Sequence, residues 1–148
     1  MIGEVYLEDL VTTVIDHGFQ LHGTVGPGLL ESAYEAFLAS SLREAGYSVK
    51  QQVSLSATYR STTIENAFRI DLLIEDSLIV EVKSVETLAK VYSKQVLTYL
   101  RLTQLPVGLL INFGTEMYRD GVKRIIDSRS GYQSPYSKSN ADNQNPKS

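Results

Sequence analysis

Leu7, Leu10, Val11, Val14 and Ile15 recur at the three- and four-residue spacing of a helix buried along one side. That spacing predicts a helix over about residues 6–25, with Phe19 and Leu21 extending its face. Gly26-Pro27-Gly28 breaks it. Leu30, Ala33, Tyr34, Phe37, Leu38, Leu42 and Ala45 predict a second helix from about Leu29 to Ala45, closed by Gly46. From Ser48 to Tyr59 the period falls to two, with Val49, Val53, Leu55, Ala57 and Tyr59 largely alternating with polar residues. Further strands are predicted over Ile64–Glu75 and Leu78–Val85, so that the three form an antiparallel meander. Helical spacing returns in Leu88, Val91, Tyr92, Val96, Tyr99, Leu100 and Thr103, which predicts a helix over Glu86–Gln104. Val107–Phe113 is almost wholly apolar and reads as a strand covered on both faces. Met117–Ile126, with Arg119, Lys123 and Arg124, reads as a last strand. The order α-α-β-β-β-α-β-β implies an α/β fold with one mixed sheet flanked by helices, the helix over Glu86–Gln104 crossing between strands.

Residues 1–130 are expected to form a single domain, and the polar run 131–148 a disordered C-terminal tail. A chain of 148 residues suits one core, and 43% hydrophobic with 21% charged residues is ordinary for a globular protein. No apolar run approaches the roughly 20 residues of a membrane span, and the N-terminus lacks the pattern of a secretory signal. The absence of cysteine excludes disulfides and thiolate chemistry and agrees with a cytoplasmic location. A net charge of −3 argues mildly against a general nucleic-acid coat protein, but acids gathered at a cation site would distort that sum.

The candidate chemistry lies in Phe68–Lys83, two apolar strands joined by a turn at Glu75-Asp76-Ser77. Alternation puts Glu81 and Lys83 on one face of their strand and Leu78, Val80 and Val82 on the other. Asp71 stands on the strand before. Charges so placed need partners or a metal, because burying an unpaired charge is costly. A buried ion-pair network is the plain alternative to a divalent-cation site.

Other candidates are weaker alone. Gln95 and Tyr99, four apart, share a helix face and could hold a phosphate or a water. Glu31 opens the second helix, where an acid ordinarily complements the helix dipole. His17 and His22 do not share a face well, and capping or surface roles are the default for both. Arg69, Lys90 and Lys94 could contact phosphates, as any surface cation could.

Gly28-Leu29-Leu30-Glu31-Ser32-Ala33-Tyr34 fits Gly-x-x-Glu-x-x-Tyr, and the chain from about His17 to Ile126 resembles the GxxExxY family of the PD-(D/E)XK nuclease superfamily. Arg69-Ile70-Asp71-Leu72, Glu81-Val82-Lys83 and Gly108–Gly114 carry the resemblance further, and Gln95-x-x-x-Tyr99 is similar to an element of the RecB-type branch. Ile70 stands where the superfamily has proline. The resemblance implies a restriction-endonuclease-like core, with Asp71, Glu81 and Glu31 as metal ligands. It implies that Lys83 orients the attacking water or stabilises developing charge.

The expectation is a Mg²⁺-dependent nuclease, with Mn²⁺ an acceptable substitute, hydrolysing phosphodiester bonds in DNA or RNA through Asp71, Glu81, Lys83, Glu31, Gln95 and Tyr99. The alternatives are a catalytically silent module binding nucleic acid or a protein partner, and an interaction protein working through its tail. A homodimer is compatible with the first two; a membrane role is not expected.

Overall fold

A computed structural model describes residues 3–133. Alternation along β3 (Leu78–Lys83) divides the molecule into layers. Leu78, Val80 and Val82 join the core beneath α1 (Glu4–Val25) and α2 (Glu31–Glu44), while Ile79 joins a smaller core beneath α3 (Lys90–Thr103). The sheet runs β1-β2-β3-β4-β5, with β1 Val49–Tyr59, β2 Thr62–Ile74, β4 Val107–Asn112 and β5 Val122–Ile126. Among the described residues only the β3–β4 pair is parallel; α3 is the crossover between them, and the other pairs are antiparallel. This is the mixed α/β architecture expected, consistent with a restriction-endonuclease-like fold. As its composition predicts, β4 is buried throughout.

Three expectations need correction. The crossover helix begins at Lys90, not Glu86, because the preceding loop is held by a distant side chain. Fully buried Asn112 accepts from the N–H groups of Val85 and Gly114, both at 3.0 Å, and donates from Nδ2 to the Val85 carbonyl at 2.8 Å. Gly114 leaves room for this approach, since a Cβ there would collide with the Val85 backbone. Second, the segment before β5 forms a helical turn, α4 (Tyr118–Gly121), instead of strand. Buried Tyr118 donates its hydroxyl to the Ile15 carbonyl at 2.8 Å, which draws this turn onto α1. Third, Phe19, Leu30, Phe37, Ala45 and Val91, all assigned to apolar helix faces, are exposed.

The histidines are neither surface nor capping groups: buried His22 ties α1 to the loop before α4, and half-buried His17 ties α1 to α2. His22 Nε2 donates to the Thr115 carbonyl at 2.8 Å, and His17 shares a 3.1 Å hydrogen bond with Ser41. Glu8, buried in α1, pairs with Arg124 of β5 and accepts from the Tyr132 hydroxyl. Tyr132 packs against the larger core, so the polar segment is docked at its start. The remainder of the expected tail, residues 134–148, lies outside the described residues. Among the described residues no helix is long and apolar enough to cross a membrane.

Asn112→Ala would leave three backbone groups at Val85 and Gly114 without partners. The expected loss is about 2–3 kcal/mol of stability, read as a lower urea midpoint at an unchanged m-value.

Candidate active site

The β2–β3 ladder ends early. Leu72 pairs with Val80, and the two strands then part. Carboxylates take the backbone groups released by this fork. The N–H of Val82 donates to Asp71 Oδ2 at 2.9 Å, and the N–H of Asp71 donates to Glu81 Oε1 at 3.0 Å. Each acid thus closes part of the gap between its own strand and the other. Glu81 is 8% exposed. Burial first, and then the charge of Asp71, push its carboxyl up to about 9, aided by a hydrogen bond to the Asp71 side chain. At neutral pH the pair therefore holds a proton on Glu81. Lys83, two positions on, opposes this shift weakly; its ammonium lies 4.4 Å from the centre of the Tyr92 ring, held by the π-face.

The other side of Asp71 is set by β1. Gln52, opposite Asp71 in register, has φ 51, a left-handed conformation that costs a residue with a Cβ about 1 kcal/mol or more. The hairpin changes sides at this pair. Leu72 and Ile74 pack beneath α1 and α2, whereas Ile70 and Phe68, in the same alternation, pack beneath α3. The turned Gln52 amide donates to Asp71 at 3.3 Å and to Glu35 of α2. Gln51 also donates to Glu35, at 3.1 Å. Burial raises the Glu35 carboxyl despite these hydrogen bonds.

Asp71, Glu81 and Lys83 thus share one site, as their spacing predicts. Tyr99 reaches it too: burial, then the charges of Glu81 and Asp71, raise its phenol, so its hydroxyl stays protonated and able to donate. Gln95 lies one turn earlier on α3, exposed and facing a groove rather than the carboxylates. Among the described residues Glu31 has no hydrogen bond or ion pair to Asp71 or Glu81, and it is exposed. It sits at the rim, because Ser84 donates to the Leu29 carbonyl at 2.7 Å and ties the start of α2 to the end of β3. Within the Gly28–Tyr34 pattern, the glycine has φ 122, and Tyr34 binds the loop by donating to the Gly26 carbonyl and accepting from Leu29 N–H. Its ring stacks on Phe113 at 4.6 Å.

The helix acid that meets Asp71 through Gln52 is Glu35, which the sequence reading passed over. A signal was present: Glu35, Leu38 and Leu42 fall at helical spacing on the buried stripe of α2. Asp71 and Glu81 form an all-oxygen pair suited to a hard cation. Among the described residues no group of three or more His, Cys, Asp or Glu side chains is arranged to hold an ion.

The chain belongs to the PD-(D/E)XK nuclease superfamily, whose model matches residues 8–125, and this supports a nuclease-type function. The matched span contains the fork, Lys83 and α3. No curated protein and no solved structure matches the chain.

The raised Glu81 carboxyl fixes the sign of a pH effect. The folded state keeps a proton that the unfolded chain releases near 4.5, so stability falls as pH rises from there to about 9. Glu81→Gln keeps the neutral form and the acceptor for Asp71 N–H. It should flatten that fall, as measured by urea midpoints across the same pH range.

Proposed function

We propose that the protein is a Mg²⁺-dependent nuclease of the GxxExxY family that hydrolyses phosphodiester bonds in DNA or RNA. The observation that carries this reading is the β2–β3 fork, which holds Asp71 and Glu81 side by side with Lys83 on the same strand. The family assignment within the superfamily rests on Gly28, Glu31 and Tyr34 at their spacing.

Asp71 and Glu81 would hold the cation, with water completing its shell, as Mg²⁺ commonly keeps several waters. When bound, the ion supplies Lewis-acid polarisation of the phosphate and a more acidic water. The protein's own residues supply the rest. Glu81 must give up its proton to become a ligand, so cation binding should strengthen as pH rises toward about 9. Lys83, positioned by Tyr92, places positive charge where the phosphorane-like negative charge develops. Tyr99 offers a hydroxyl to a phosphate oxygen. Glu35, through Gln52, fixes the Asp71 carboxylate, while Glu31 stands at the rim, where it could reach an ion through water.

A silent nuclease-fold module binding nucleic acid or a protein partner is the second reading. What favours it is the lack of a gathered third acid among the described residues.

The test is cleavage of single- and double-stranded DNA and RNA with Mg²⁺ or Mn²⁺. Lys83→Ala and Asp71→Asn are each expected to lower turnover at least about a hundredfold, as loss of a group stabilising developing charge does elsewhere. Glu35→Gln should cost more than Glu31→Gln. Metal-independent cleavage, or full activity in Lys83→Ala, would overturn the assignment. No cleavage of any substrate would transfer the weight to the silent module.

A further inference from the structure

The β1–β2 hairpin runs well past the end of β3, and its outer half lies over α3. Between Leu55 and Ala57 its register shifts, so that Glu65, Asn66 and Ala67 stand opposite the single Ser56. Asn66 has φ 51. A bulge of this kind bends the ribbon and redirects its side chains. Because the residues that then face α3 are Ala57 and Ala67, a groove of ≈ 460 Å³ stays open between ribbon and helix.

Its lining is specific. Phe68 and Tyr99 stack with ring centroids 4.9 Å apart and share one wall. Val91 and Leu102, 54% and 42% exposed, give the groove apolar edges along α3. Lys94 and Gln95 supply a cation and an amide. Phe68, in the groove wall, stands three positions before Asp71 on β2, and Phe68 and Tyr99 both pack on the cluster that contains Ile70, the residue next to Asp71. The groove therefore adjoins the stretch of β2 that carries the proposed catalytic centre.

We infer that the groove receives an unpaired nucleobase and that the substrate is a single-stranded nucleic acid, its backbone crossing the β2–β3 fork. The inference extends the nuclease reading by naming its substrate class. In a duplex, base faces are stacked and base edges paired, so a base enters such a slot only after the cost of extrusion, which a single strand does not bear. An unpaired base offers an apolar face to the Phe68–Tyr99 wall and polar edges to the Gln95 amide, which both donates and accepts. Lys94 matches the charge of the adjoining phosphate. Helix on one side and ribbon on the other bound the groove, giving it the form of a slot for one strand.

Anisotropy titrations in EDTA separate binding from cleavage. The probes are a short oligothymidylate, an oligouridylate, a thymidylate strand carrying abasic sites in its centre, and a duplex of equal length. The intact strands should bind tighter than the abasic strand and the duplex. Phe68→Leu, which removes an aromatic face but keeps apolar bulk, should weaken the intact strands roughly five- to a hundredfold and leave the abasic strand unchanged. Ala67→Leu, at an exposed position that should tolerate the change in folding, fills the groove and should do the same. Equal binding of intact and abasic strands, preference for the duplex, no binding at all, or variants indistinguishable from the parent protein would overturn the inference. A parallel Mg²⁺ assay distinguishes the two readings. Cleavage without base-dependent binding sinks the groove alone, whereas base-dependent binding without cleavage sinks hydrolysis alone.

Discussion

The structure depends on two carboxyl groups that stand in for a missing stretch of β-ladder. Strands β2 and β3 cannot separate in a buried region without exposing backbone N–H groups to an apolar surrounding, which is costly unless partners are supplied. Asp71 and Glu81 supply them reciprocally. That solution creates a second difficulty, because it brings two acids together where solvation is poor. The proton retained on Glu81 relieves it. Under the proposed function a divalent cation would relieve the same repulsion, and binding it would require the fork to release that proton.

Elements far apart in sequence serve this fork. Asn112, at the end of β4, fixes the loop that follows Lys83 and so determines where α3 can start. Helix α3 in turn brings Tyr92 over Lys83 and Tyr99 toward the carboxylates. On the opposite side Gln52 accepts backbone strain in order to link Asp71 to α2. The strained residue is part of an edge ribbon, where the backbone has fewer neighbours to displace than it would in β3 or β4.

The layers were legible in the sequence because their cause is local. Alternation in Leu78–Lys83 assigned Glu81 and Lys83 to one face, and the apolar run Val107–Asn112 required cover on both sides. Asp71 was legible as an acid within a strand that otherwise reads as core. What escaped arises from contacts between distant residues. The late start of α3 depends on Asn112, and the helical turn before β5 depends on Tyr118 finding a carbonyl in α1. Glu31 drew attention because it fits a short pattern, while Glu35, on the buried stripe one turn later, was hidden among the apolar residues that define that stripe. The left-handed Gln52 has no signature of its own, since glutamine is not a residue type that announces a positive φ.

The double duty of Asp71 governs how substitutions there must be interpreted. Its carboxylate accepts from Val82 N–H, faces Gln52 and raises the proton affinity of Glu81. Alanine would remove all three effects together and leave a backbone donor unpaired, so a loss of activity could reflect a reopened fork. Asparagine keeps an oxygen that can accept from Val82, so it spares the fork while removing the charge and the acceptor for the Gln52 amide. With that charge gone, Glu81 loses one of the two main causes of its raised pKa, but burial, the larger, remains. In a chemically silent but folded Asp71→Asn protein the Glu81 carboxyl should therefore still be raised, by burial. Its defect would then report the missing cation ligand and not a collapsed site, which is the distinction on which the nuclease reading turns.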